Sequence, residues 1–239
     1  MNRLREYLNQ WNITLTDEMI LRFQDYYELL CEWNAVMNLT AITEKDEVIL
    51  KHFVDSLAVG HFMKPEQQTV LDLGTGAGFP GIPLKIVYPG LKITLADSQQ
   101  KRLRFLDAVI DQLQLSDICT LHGRAEDLAR KEAYREQFDL CMSRAVANLT
   151  TLSEYCLPFV KKEGFFVSYK SDKIEEELSD AAYAINLLGG KVNRVETFML
   201  PGSDLNRSLI FISKTGSTPS KYPRKAGTPS KELLLPNRR

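Results

Sequence analysis

The residues best suited to chemistry lie in one stretch, Val70-Leu71-Asp72-Leu73-Gly74-Thr75-Gly76-Ala77-Gly78-Phe79-Pro80-Gly81. An apolar, β-rich run enters a glycine-rich turn that opens a helix, with Pro83 near the helical start, where proline is tolerated. Glycine suits such a turn because the chain must bend sharply and let a ligand touch bare backbone. Gly76, Gly78 and Gly81 satisfy G-x-G-x-x-G, the dinucleotide fingerprint, which is a weak signal standing alone. Asp72 argues against a dinucleotide. Its carboxylate lies two residues before Gly74, where a pyrophosphate would rest, and like charges about 4 Å apart at an effective dielectric of ~20 repel by roughly 4 kcal/mol. The same carboxylate attracts a ligand with an ammonium and a sulfonium; S-adenosylmethionine carries both and has no phosphate.

A second carboxylate, Asp97, ends the next β-rich run, about 20 residues beyond the turn, where it can accept hydrogen bonds from both ribose hydroxyls. Such charge-assisted bonds contribute about 1.5–3 kcal/mol each. Gly123-Arg124-Ala125-Glu126, after the third run, is spaced to edge the adenine. Local roles stay open: Asp72 capping the loop backbone, Asp97 capping the next helix, and Glu126 opening a solvated helix.

These residues need elements to position them. From Thr69 onward, the runs TVLDLG, KITLAD, ICTLHG, FDLCMS and GFFVSYK alternate with helical segments such as Gln100–Leu113 and Leu152–Val160. Near-continuous apolar runs alternating with amphipathic stretches are the pattern of βαβ units and a buried parallel sheet. Asp172–Leu188 reads as a helix ended by Gly189-Gly190, and VNRVETFML and SLIFISK as a closing antiparallel pair. Residues 1–64 read as helical. Thr16 caps a helix with Asp17 and Glu18 in its first turn and a stripe of Ile20, Phe23, Tyr27 and Leu30; a second helix starts at Thr43 and runs through Ile49, Phe53 and Leu57. Three segments result: a helical cap (1–64), an α/β Rossmann-like domain (65–215), and a Pro/Gly/Ser-rich arm (216–239). From Lys214 onward the chain holds Lys214, Lys221, Arg224, Lys225, Lys231, Arg238 and Arg239 against the lone acid Glu232.

The 239 residues suffice for a hydrophobic core, and 44% hydrophobic with 26% charged residues excludes a fibrous or globally disordered chain. A net charge of −1 gives no overall basic field, so contact with nucleic acid must be local, as in the arm, where Arg224 and Lys225 suit phosphates and Tyr222 suits stacking on a base. Cys31, Cys119, Cys141 and Cys156 follow no metal or CxxC spacing and read as reduced thiols of a cytosolic protein. The N-terminus lacks the apolar stretch of a signal peptide, and no run approaches the roughly 18 apolar residues of a membrane span, so the expectation is a soluble, cytoplasmic protein.

Taken together, WNAVMNLTAI (33–42), HFVDSL (52–57), DLGTGAGFPGIPL (72–84), DSQQKRLRFL (97–106), GRAED (123–127), SRAVANL (143–149) and YPRKAGTPSKELL (222–234) resemble a known family over nearly the whole chain. That family is the bacterial small-subunit rRNA guanine-N7 methyltransferase G family, also called glucose-inhibited division protein B, among the class I S-adenosylmethionine-dependent methyltransferases. The resemblance implies a mostly parallel seven-stranded sheet with helices on both faces behind an N-terminal helical cap. It implies transfer of a methyl group from S-adenosylmethionine to N7 of a guanine, position 527, in 16S rRNA of the small ribosomal subunit. Matched residue by residue, Gly74, Phe79, Ala125, Glu126 and Arg144 fall on the family's cofactor-binding positions. With the residue reading of Asp72, Gly76, Gly78 and Asp97, they make up the expected cofactor site. Ser171 after Lys170 departs from the family's frequent Lys-Gly, so Lys170 receives no cofactor role.

N7 of guanine has a free lone pair and no proton, so its in-line attack on a methyl group needs no general base and no catalytic residue is expected. Consistent with this, the chain reads Ser143-Arg144-Ala145-Val146 where amine-directed relatives often carry Asn/Asp-Pro-Pro-aromatic. Arg144 is expected at the mouth of the site, binding the cofactor and orienting the target nucleotide. His52, Asp55 and Ser56 share one helix and cannot assemble a hydrolase triad, so His52 reads as a packed or pocket-edge residue, and no metal site is argued. The rival readings are a nicotinamide-dependent oxidoreductase, a non-catalytic RNA-binding or assembly factor with a vestigial cofactor pocket, and a methyltransferase of small molecules or proteins.

Overall fold

Thr16 stops the chain in an extended conformation and its hydroxyl accepts from Met19 N–H at 3.2 Å, so the helix Asp17–Met37 begins where expected, with Asp17 and Glu18 at its positive end. It ends at Asn38 in the left-handed region (φ 49°), which asparagine tolerates. Its buried line is Phe23, Tyr26 and Leu30. Tyr26 replaces the expected Tyr27, which is half-buried and donates its hydroxyl to the Thr43 carbonyl. The next helix starts one residue later than expected: Glu44, not Thr43, caps it by accepting from Glu47 N–H at 2.8 Å. Lys45–Val48 runs into a wider π-helical turn, Ile49–Val54, which buries His52, Phe53 and Val54.

The computed structural model describes residues 1–144, 147–172 and 174–236. Strands β1 (Thr69–Leu73), β2 (Lys92–Asp97), β3 (Ile118–His122), β4 (Phe138–Arg144), β5 (Val160–Lys170), β6 (Gly190–Met199) and β7 (Asn206–Lys214) form one seven-stranded sheet in the order β3-β2-β1-β4-β5-β7-β6. β1 with β4, β2 with β3, and β4 with β5 are parallel, whereas β7 pairs antiparallel with β5. The expected mostly parallel sheet with an antiparallel close is therefore present. The outer strands β3 and β6 are only partly buried, as edge strands are.

Two helices differ from expectation. Leu149–Cys156 starts earlier than Leu152 because Asn148 caps it, accepting from Thr151 N–H at 2.9 Å, and a short 3₁₀ turn (Leu157–Phe159) ends the helical stretch so that Val160 already belongs to β5. The helix after β5 spans Glu175–Leu187, with Glu175, Glu176 and Glu177 at its positive end. Two compact units divide the chain: residues 1–68, 75–122 and 199–205, and residues 69–74, 123–198 and 206–239. These units interleave in sequence and do not divide at residues 64 and 215. The first is centred on the aromatic rings of Phe23, Tyr26, Phe53, Phe79 and Phe105. In the second, Phe159, Phe166 and Phe211 are the largest fully buried apolar side chains.

Candidate functional site

In the first unit the glycine turn is fixed by its own backbone and by the end of β2. Thr75 N–H donates to the Ala96 carbonyl, and Gly78 and Phe79 N–H both return to the Thr75 carbonyl. Gly76 and Gly78 sit at φ 60° and 96°, where an L side chain is strained. Gly78 also lets the turn nest against the helices: a Cβ there would lie 2.7 Å from Ile82 Cγ1 and from Tyr26 Oη. Tyr26 in turn donates its hydroxyl to the Ala77 carbonyl.

Asp97, 4% exposed at the carboxyl end of β2, faces this turn. Its Oδ2 accepts from Gly76 N–H at 3.1 Å and from Arg102 at 3.2 Å, and its Oδ1 accepts from Gln99 N–H at 2.8 Å. Asp97 thus lies beside the glycine backbone and closes the turn before the helix Gln100–Gln112 without capping it, since its bond goes to Gln99, the residue before the first helical one. Phe79 is buried, and its ring stacks on the His52 imidazole with centroids 4.5 Å apart. His52 Nε2 shares a hydrogen bond with Thr40 Oγ1 at 2.9 Å, and Thr40 N–H donates to Asn34 Oδ1 at 2.8 Å. WNAVMNLTAI, HFVDSL and the glycine turn, separate in sequence, are thereby joined in one chain of contacts. The spacing of Thr40 and His52 gave no sign of this link, because it forms across a loop and a π-helical turn.

In the second unit Asp72 is fully buried on β1, and Gly74 leaves the strand at φ 73°. Ser143 Oγ donates to the Leu73 carbonyl at 3.0 Å, which holds the end of β1 against β4. Arg144, half-buried, closes β4; Ala145 and Val146, which follow it, lie outside the described residues. The segment beyond is held by residues that sequence reasoning left without a role. Lys170 Nζ donates to the Ala147 carbonyl at 2.7 Å and to Glu177 at 2.6 Å, and Glu177 accepts from Leu149 N–H at 2.6 Å. Ala125 and Glu126 open a one-turn helix, Ala125–Leu128. Glu126 is 5% exposed, not a solvated helix start, and its carboxylate accepts from Gly227 N–H at 2.8 Å.

Gly227 belongs to the terminal arm, and the arm corrects two expectations. Tyr222 is buried (7% exposed), so its ring is not available to stack on a base. Arg224 is turned inward: its backbone N–H and guanidinium grip the buried Glu154 carboxylate at 2.7–3.1 Å, and that partner raises the arginine pKa further. The cause is an acidic residue on the Leu149–Cys156 helix that needs neutralising; a fully buried carboxylate without a partner costs several kcal/mol. Lys221, Lys225 and Lys231 stay exposed, while Arg238 and Arg239 lie outside the described residues. Among the described residues no group of His, Cys, Asp and Glu could hold a metal ion, and no helix is long and apolar enough to cross a membrane.

A seven-stranded sheet in the order β3-β2-β1-β4-β5-β7-β6, with β7 antiparallel to β5 and a glycine turn after β1, is the Rossmann-like class I methyltransferase fold. Solved structures share it: the chain superposes on M. jannaschii TYW2, solved in complex with AdoMet, with a TM-score of 0.56 at 14% identity over 73% of this chain and 79% of that one. It superposes on a Haloferax volcanii putative methyltransferase, solved with the Trm112 methyltransferase activator, with a TM-score of 0.57 at 16% identity over 78% and 98%. The family model of rRNA small subunit methyltransferase G (GidB) matches residues 19–209. The chain is 52% identical to ribosomal RNA small subunit methyltransferase G of Lachnoclostridium phytofermentans over 95% of both chains, and 50% identical to that of Staphylococcus carnosus over 97% and 98%. This chain belongs to the rRNA small subunit methyltransferase G family.

Proposed function

We propose that this protein transfers a methyl group from S-adenosylmethionine to N7 of a guanine in the 16S rRNA of the small ribosomal subunit. The observation that carries the donor's identity is the fully buried Asp72 carboxylate, two residues before Gly74, which disfavours a pyrophosphate and suits an ammonium. The nearly buried Asp97 carboxylate, bonded to the bare backbone of Gly76, suits the hydroxyls of a ribose, a role that a dinucleotide would share. The residues fit the cofactor. Arg102 makes the longest of the hydrogen bonds to Asp97 and is about a third exposed, so a ribose diol can take its place at little cost.

The proposed donor contacts are Gly76, Gly78, Phe79 and Asp97 in the first unit, and Asp72, Gly74, Ala125, Glu126 and Arg144 in the second. Asp72 attracts the ammonium end, Asp97 accepts from the ribose, and Ala125-Glu126 edges the adenine. S-adenosylmethionine supplies an electrophilic methyl on sulfur; the chain's work is to hold that methyl in line with the N7 lone pair. Orientation of this kind is worth up to roughly 7–11 kcal/mol. Arg144 binds the donor end and orients the incoming nucleotide, and no side chain has to remove a proton. Lys225, with its neighbours Lys221 and Lys231, supports phosphate contact, whereas Tyr222 and Arg224 serve the fold.

The test is to incubate small subunits, and separately naked 16S rRNA, from a strain lacking the modification with the protein and labelled donor, then map the methylated base. Label on a guanine N7 supports the proposal and shows which substrate form is used. Label on another atom or molecule, or none, overturns it, and no transfer despite donor binding points to an assembly factor. Titration heat with NAD in place of S-adenosylhomocysteine would favour the oxidoreductase reading. Arg144→Ala should depress turnover strongly with the fold intact.

A further inference from the structure

The terminal arm touches the proposed adenine edge itself. The helix Ala125–Leu128 is a single turn, too short to hold its shape unaided. Its Glu126 carboxylate is held by Gly227 N–H at 2.8 Å, and Ser230 Oγ donates to the Gly227 carbonyl at 3.1 Å, which braces that donor. The following residues are tied to the arm as well. Arg130 donates to the Pro223 carbonyl, and Arg135 donates to the carbonyls of Tyr222 and Thr218 at 2.9 and 2.8 Å. On the neighbouring helix, Thr151 Oγ1 donates to the Pro229 carbonyl at 3.0 Å and Glu154 receives the Arg224 fork. Both acids that the arm covers are nearly inaccessible to water, so the arm replaces their hydration with directed donors.

We propose that the segment Tyr222–Ser230 is a latch that pre-orders the turn Arg124–Glu126 for the donor's adenine, with Arg224 as a positioning residue. This rests on the proposed donor site, in which Ala125-Glu126 edges the adenine. A turn already fixed by the latch binds without an ordering cost; a released turn imposes that cost on each binding event and weakens affinity. The predicted signature is a rise in the donor KM with little change in kcat at saturation, because the latch residues touch neither the methyl group nor the acceptor base.

The experiment uses the full-length protein. Amide hydrogen exchange of the wild type with and without S-adenosylhomocysteine asks first whether the ligand protects Arg124–Glu126. Absence of protection would refute the adenine assignment and the latch with it. Given protection, Arg224→Leu should raise the dissociation constant of S-adenosylhomocysteine about tenfold, as expected for loss of a charge-assisted bond, and raise the donor KM in parallel. Its kcat and its KM for small subunits should stay within about twofold of wild type. An unchanged donor affinity overturns the latch, and a raised RNA KM with unchanged donor affinity would make Arg224 a phosphate contact instead. Should Arg224→Leu fail to fold, Thr151→Val decides: it removes only the hydroxyl that holds the Pro229 carbonyl of the arm, so it should raise the dissociation constant of S-adenosylhomocysteine several-fold with kcat unchanged. An unchanged donor affinity in Thr151→Val then overturns the proposal.

Discussion

Gly78→Ala separates two reasons for a glycine. At φ 96° an L side chain is strained by about 1–2 kcal/mol. The added Cβ would also lie 2.7 Å from Ile82 Cγ1, 2.7 Å from Tyr26 Oη and 2.9 Å from Leu106 Cδ2. Ile82, Tyr26 and Leu106 are fully buried, and Tyr26 is further tied to the Ala77 carbonyl, so none of them can swing into solvent. Overpacking of this kind costs about 1–3 kcal/mol, which brings the expected destabilisation to about 2–5 kcal/mol. For a chain of this size that is a fall in Tm of roughly 4–20 °C. Gly227→Ala is the control: its φ of 82° imposes similar strain, but its Cβ would meet nothing within 4 Å. Scanning calorimetry of both variants isolates the packing cost. If Gly78→Ala melts no lower than Gly227→Ala, the close approach of the glycine turn to the helices is not a constraint and the reasoning fails.

Further expectations follow from the second unit and from the thiols. Lys170→Met frees the Ala147 carbonyl and Glu177, loosening the segment beyond Arg144, and should lower kcat about 10–100-fold while calorimetric titration finds S-adenosylhomocysteine affinity unchanged. Burial alone would raise the Glu136 carboxyl, but Thr218 N–H and the Lys214 ammonium outweigh it and hold the pKa below the ordinary glutamate value. A depressed carboxyl stabilises the fold above its ordinary pKa, and that stability is lost as pH falls through the folded value. Urea midpoints should therefore show wild type ahead of Glu136→Gln near neutrality, with the gap closing below about pH 4; a constant gap counts against the ion pair. Cys119 is exposed, whereas Cys141 and Cys156 are buried and burial pushes the Cys141 thiol well above its ordinary pKa. A thiol–disulfide exchange reagent should thus label Cys119 in the native protein and reach Cys141 and Cys156 only after denaturation.

The features that could be read from the sequence are the ones governed by neighbouring residues. The strands announced themselves because a buried parallel strand needs an unbroken apolar run, and the turn after β1 because positive φ at Gly74, Gly76 and Gly78 demands glycine. Thr16 capped its helix as its side chain chemistry dictates. Helix starts slipped by a few residues where another group could cap equally well, as Glu44 and Asn148 do. The arm is the clearest case of what could not be read. Its composition spoke of an outward-facing basic arm for nucleic acid, yet Tyr222, Arg224 and Gly227 turn inward because Glu154 and Glu126, 70 residues from Arg224 and 101 from Gly227, need donors. The Thr40–His52–Phe79 contacts and the Lys170–Glu177 clasp are of the same kind. Local sequence fixes backbone shape and the facing of each strand and helix, but whether a polar side chain meets water or a partner depends on which distant segment folds over it, and only the tertiary structure decides that.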